Sequence, residues 1–196
     1  MTKSILPSYH YLLLFCFSMS PLLVSANDDE PRVAVKTLYT FQDIQERRTW
    51  FPLNDNIMGG VSTGDFNFTQ DNTLIFSGKV ALENKGGFAS IRSKKVAVNL
   101  EDVKSFKLRV KGDGKSYYFN ISSSNFVADP GYQVGFKTKK GVWEEIIITV
   151  DDFAPAFGGH YSKANLQMSE IKLMGIIISD KQAGTFNLEI DWIKAF

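Results

Sequence analysis

The residues with the widest chemical reach gather in two short segments, 50–64 and 83–92. The first carries Trp50, Asn54, Asp55, Met58, Gly59, Gly60 and Ser62; the second carries Glu83, Asn84, Gly86, Gly87 and Arg92. Each joins amide or acid side chains, which exchange hydrogen bonds, to a Gly-Gly pair, which permits left-handed backbone or close approach of another group. Asn, Asp and Gly also build ordinary tight turns. Two such segments in one small chain nevertheless point to a pair of binding loops, because a rigid sheet can present loops that its core does not need. Arg92 offers a forked hydrogen bond to an acidic ligand group, or an ion pair with Asp55 or Glu83 that ties the two segments together. The second is the simpler use.

Catalytic chemistry is harder to assemble. His160, in the glycine-rich run Phe157-Gly158-Gly159-His160-Tyr161, could act as a general base, but no Gly-x-Ser-x-Gly elbow accompanies it. The acids Asp55, Glu83, Asp113, Asp151 and Asp152 could pair as in a glycosidase or offer oxygens to calcium. Asp151-Asp152 is more simply a solvated strand exit. Asn54-Asp55-Asn56 supplies three oxygen-bearing side chains without the spacing of an EF-hand, so a structural calcium site stays open there and no other cofactor is expected. Trp50, Tyr118, Trp143 and Tyr161 are large enough to stack on sugar rings, whereas Trp192 shares the parity of Phe186, Leu188 and Ile190 and should continue their buried stripe. Asn67-Phe68-Thr69 and Asn120-Ile121-Ser122 match the glycosylation pattern.

The amino-terminal residues narrow the choice further. Tyr11 to Val24 is a short apolar run broken by Ser18, Ser20 and Pro21, and Val24-Ser25-Ala26 has small residues at cleavage-site spacing. Residues 1–26 therefore read as a secretory signal peptide, too short for a membrane anchor, with 27–36 a mobile polar linker. The expected location is periplasmic or extracellular. Beyond Ala26 the chain has no cysteine, one histidine, and 21 basic against 21 acidic side chains. Cysteine nucleophiles, Cys/His zinc sites and disulfide frameworks are excluded from that portion. Matched charge argues against nucleic-acid binding, which needs a basic excess.

These residues must be held by strands. In Phe106-Lys107-Leu108-Arg109-Val110-Lys111, apolar side chains alternate with cations, the mark of a strand with one buried and one wet face. Gly112-Asp113-Gly114 turns the chain, and Tyr117, Phe119 and Ile121 resume the alternation. Tyr132, Val134 and Phe136 repeat it, as do Phe186, Leu188 and Ile190. Further strands are expected over 66–69, 73–82, 88–92, 143–150 and 171–179. Only 42–48 reads as helix, capped from Thr40. Residues 37–196 thus form one all-β domain, an antiparallel two-sheet jelly-roll sandwich.

The motifs in combination carry a family likeness. Trp50 with Asn54-Asp55, Met58-Gly59-Gly60-Val61-Ser62, Phe76-Ser77-Gly78, Glu83-Asn84 with Gly86-Gly87-Phe88-Ala89-Ser90 and Arg92, Gly112-Asp113-Gly114 with Tyr117, and Gly184-Thr185-Phe186 resemble the complex I intermediate-associated protein 30 family from about Thr40 to Phe196. The resemblance implies a galactose-binding-like jelly roll. It also implies an assembly factor, since mitochondrial members are chaperones for respiratory complex I; the secretory-type leader points to a different compartment. The expectation is a non-catalytic domain that grips a protein partner through the two glycine-pair loops. A lectin-like, carbohydrate-binding module is the alternative.

Overall fold

The computed structural model describes Met1 and residues 34–94, 98–156, 162–179, 181 and 183–196. The chain divides into Met1–Arg32 and Val33–Phe196, and the fold below is that of the second unit. The leader, most of the expected linker, His160 and Tyr161 lie outside the described residues.

Twelve strands are described: β1 (Lys36–Tyr39), β2 (Trp50–Pro52), β3 (Thr63–Phe68), β4 (Leu74–Val80), β5 (Ala89–Ser93), β6 (Ser105–Lys111), β7 (Ser116–Ser122), β8 (Tyr132–Lys137), β9 (Trp143–Thr149), β10 (Ala154–Pro155), β11 (Leu173–Ile178) and β12 (Gly184–Ala195). They form two antiparallel sheets. One runs β3-β4-β12-β6-β9, with β1 pairing along β12 beyond the end of β4; the other runs β10-β8-β7-β11-β5-β2. The all-β sandwich expected from the alternation is the fold observed.

Between the sheets lies one apolar core. β6 contributes Phe106, Leu108 and Val110, and β7 contributes Tyr117, Phe119 and Ile121, all fully buried. Edge-on aromatic pairs such as Phe106–Phe119, with ring centroids 5.2 Å apart, join the layers. The opposite face of β6 is wet, and its cations meet acids there: Lys107 with Glu145, Arg109 with Asp191, Lys111 with Glu189. Burial tends to raise the Glu189 carboxyl, but bonds from Lys111 and Thr73 outweigh it and hold the group below its usual range.

Two local readings are corrected. The register of β12 against β6 shifts between Ile190 and Trp192, so Asp191 is an extra residue and the inward stripe becomes Phe186, Leu188, Ile190, Ile193 and Ala195. Trp192 is turned out of that stripe, half-buried beneath the Lys194 ammonium 4.2 Å from its ring. The helix is the single turn α1 (Ile44–Arg47), capped by Asp43 rather than Thr40. Thr40 and Phe41 instead donate their N–H groups to Glu46 Oε1, at 2.8 and 2.6 Å, which fixes the left-handed Phe41 (φ 58°) with its ring in the core.

Gly78 sits in β4 opposite Gly64 of β3, where a Cβ would overlap the Thr63 carbonyl. Gly78→Ala must therefore push β3 off β4. The expected loss is about 2 kcal/mol, seen as a fall in Tm of about 4–8 °C in thermal unfolding. An unchanged Tm would refute this close approach.

Candidate functional site

The two glycine-pair segments meet at one carboxylate. Asp55 opens a short turn, Asp55–Met58, which Gly59 closes at a left-handed φ of 88°. Its side chain is fully buried. Oδ1 accepts the Ser62 N–H at 2.9 Å, and Oδ2 accepts the N–H groups of Gly87 at 2.7 Å and Phe88 at 3.3 Å. A Cβ on Gly60 would overlap the Asp55 side chain, and one on Gly86 would come within 2.5 Å of Oδ2. The Gly-Gly pairs thus make room for a carboxylate and aim main-chain donors at it. Burial pushes the Asp55 carboxyl up, but the bonds from Ser62, Gly87 and Phe88 more than offset this and hold it below the usual carboxylate range.

Neighbouring polar residues reinforce the same tie. Asn54 donates to Gly64 O at 2.9 Å and accepts from Ser90 N at 3.3 Å, while Ser62 Oγ bridges the main chain of Ala81. Asn54 and Asp55, whose oxygens left a calcium site open in the sequence, turn them toward N–H donors, and Asn56 of that trio is left exposed. Glu83 and Asn84 are exposed on the left-handed corner of the second segment. Trp50 lies in the core, 4% exposed and edge-on to Tyr39, so no partner can reach it.

The Arg92 ion pair is corrected. Arg92 lies on the outer face of β5 and crosses Gly175 of β11, and its Nη1 donates to the carbonyls of Val127, at 2.9 Å, and Asp129. Asn120 Nδ2 donates to the carbonyls of Pro130 and Tyr132, and Ser122 Oγ to Asp129 Oδ2. These three side chains pin segment 123–131 across the sheet. Burial holds the Arg92 pKa below its ordinary value, and nearby Asp129 offsets only part of that fall.

The result is a cleft of about 760 Å³ on the face of the second sheet away from the core. Arg92, Tyr118, Gln133 and Ile177, neighbours in the strand register, form its floor. Leu53, Ile57 and Met58 wall it from the first segment, Gly86–Phe88 from the second, and Ala128 and Pro130 from the pinned segment. Sequence reading missed the last wall; the only signal was Asp129-Pro130-Gly131, a turn with Gly131 at φ 55°. Among the described residues, Tyr118 is the one proposed sugar-stacking side chain placed in the cleft, while Trp143 stands elsewhere under Arg109 and Lys111. Asn120 is buried and bonded, whereas Asn67 is exposed on β3.

Asp55→Ala leaves three N–H groups without their acceptor and should cost about 3 kcal/mol, a fall in Tm of about 6–12 °C. Because folding lowers the Asp55 pKa, its contribution is whole above the ordinary carboxylate value of about 4 and fades as pH drops through the lowered one. The wild-type advantage over Asp55→Asn should therefore hold from pH 7 to about 4 and shrink only below that in urea unfolding. A gap that opens as pH falls would contradict the assignment.

Comparison with known proteins agrees with this architecture. The family model for complex I intermediate-associated protein 30 matches residues 39–190. The mouse protein named "Complex I intermediate-associated protein 30, mitochondrial" is 24% identical over 183 residues, covering 82% of this chain; the chain spans 56% of that relative's length. Two solved structures of family 11 carbohydrate-binding modules from Clostridium thermocellum share the fold. One, in complex with a β-1,3-1,4-mixed-linked tetrasaccharide, has a TM-score of 0.60 at 14% identity, over 83% of this chain and 95% of its own. The other, from a cellulosomal cellulase, has a TM-score of 0.61 at 16% identity, over 84% and 95%. With its family model matched across nearly the whole sandwich, this chain belongs to the complex I intermediate-associated protein 30 family.

Proposed function

We propose that this protein is a non-catalytic binding domain that acts in assembly or folding by holding a segment of a protein partner in the cleft. The observation that carries this reading is the wall of the cleft: Ile57 and Met58 stand 54% and 68% exposed, large apolar side chains that a free domain gains nothing by showing to water. Methionine suits such a surface because its unbranched, polarizable side chain adapts to varied partners. The mouse relative is named for association with a complex I intermediate, which supports an assembly role here. Met58→Glu should leave Tm nearly unchanged, because the residue is exposed, and weaken partner capture about tenfold in cross-linking and pull-down. Equal capture by wild type and Met58→Glu would remove the cleft from the binding surface.

A second reading, a carbohydrate-binding module, draws on Tyr118 in the cleft floor beside Gln133. Binding on a glycan array that Tyr118→Ala abolishes would favour it over the protein partner.

We further place residues 1–26 as a secretory signal peptide and the working domain in a periplasm or outside the cell. Among the described residues no helix is long and apolar enough to cross a membrane. Mass spectrometry of the native protein should find Asn27 as the first residue, in the periplasmic or secreted fraction. An uncut chain inside an organelle would overturn this placement.

A further inference from the structure

The charge of the cleft departs from that of the chain. Overall, 22 Lys and Arg face 21 Asp and Glu. The described lining of the cleft instead holds Lys85, Arg92 and Lys181 and no carboxylate. Lys85 and Lys181 are exposed at the rim, while Arg92 is 4% exposed at the floor. Both hydrogen bonds of Arg92 come from Nη1, and its buried Nε has no partner. Asp129 acts on Arg92 electrostatically, but its oxygens accept from Ser122 Oγ at 2.7 Å and Gly131 N at 3.2 Å, and it does not line the cleft. Three cations around an apolar, partly enclosed space make a field that favours an anion carrying apolar groups.

We infer that the occupant of the cleft is an acidic, extended peptide segment of the partner, its carboxylates meeting Lys85 and Lys181 at the rim and Arg92 below, its apolar side chains against Ile57, Met58 and Phe88. This rests on the protein-partner reading above and adds the chemistry of the segment. Alternation suits the geometry, because in an extended chain successive side chains point to opposite sides, so one set can enter the cleft while the other meets the rim. A peptide fits these walls better than an acidic glycan does. The exposed rim residues Ile57 and Met58 are aliphatic, and Phe88 and Tyr118 are the only aromatic rings in the described lining.

The test is fluorescence anisotropy with a labelled peptide of alternating leucine and glutamate, its glutamine counterpart, and an oligogalacturonate. The glutamate peptide should bind, the glutamine peptide about tenfold more weakly, and Lys85→Glu/Lys181→Glu should lose about tenfold for the glutamate peptide alone. Both lysines are exposed, so the double variant keeps the wild-type fold, checked by its Tm. Raising salt from about 0.05 to 0.3 M should weaken the glutamate complex several-fold, as screening shortens. If both peptides bind equally and Met58→Glu abolishes both, the acidic inference falls and the protein-partner reading stands. If neither peptide binds, both fall; if only the oligogalacturonate binds, and through the same lysines, the occupant is a glycan.

Discussion

The organisation of the cleft depends on one buried carboxylate. Asp55 takes three main-chain N–H groups from two segments about thirty residues apart and so fixes the loop after β2 to the loop before β5. Its cradle admits only glycine at positions 60 and 86. Buried donors and an ionised acceptor are each costly alone and satisfied together, so neither loop has a low-energy arrangement without the other. The wall formed by Leu53, Ile57 and Met58 stands where it does because of that tie.

Arg92 performs the complementary task with opposite charge. Where Asp55 collects donors, the guanidinium collects carbonyls, and together with Asn120 and Ser122 it lays segment 123–131 over the sheet. These segments explain why β5 and β11 are buried at every residue, although only one face of each meets the core. An outer sheet face covered in this way becomes a cleft floor, and its boundaries are set by hydrogen-bonded loops, not by strand ends.

The sequence made strands with one wet face readable and the orientation of strands covered on both faces less so, for a physical reason. β6 has one dry and one wet face, so Phe106, Leu108 and Val110 alternate with Lys107, Arg109 and Lys111 and announce the strand. In β5, Ser90 and Arg92 are as buried as Ile91, and nothing in residue type reports that. Trp192 obeyed parity until an inserted residue, Asp191, shifted the count, and a bulge leaves no composition signal. Asp55 and the glycine pairs stood out by type and spacing. Their use did not, because the partners of Asp55 are peptide groups, identical at every position, and only the fold chooses which ones converge. The wall at Ala128 and Pro130 was hidden for the same reason, its anchors being carbonyls.

β12 is twelve residues long and serves both halves of the first sheet: its early part pairs with β4, its late part with β1, and β6 runs along its other side. The last strand in the sequence is therefore the middle of its sheet. A chain emerging from the ribosome can form the β3–β4 hairpin early, but β4, β6 and β1 have no common neighbour until residues 184–195 are available. Pairings that span nearly the whole sequence, such as Lys36 with Ala195, carry a high loop-closure entropy and slow folding. The first sheet is consequently completed late, only once residues 184–195 have joined strands drawn from every earlier part of the domain.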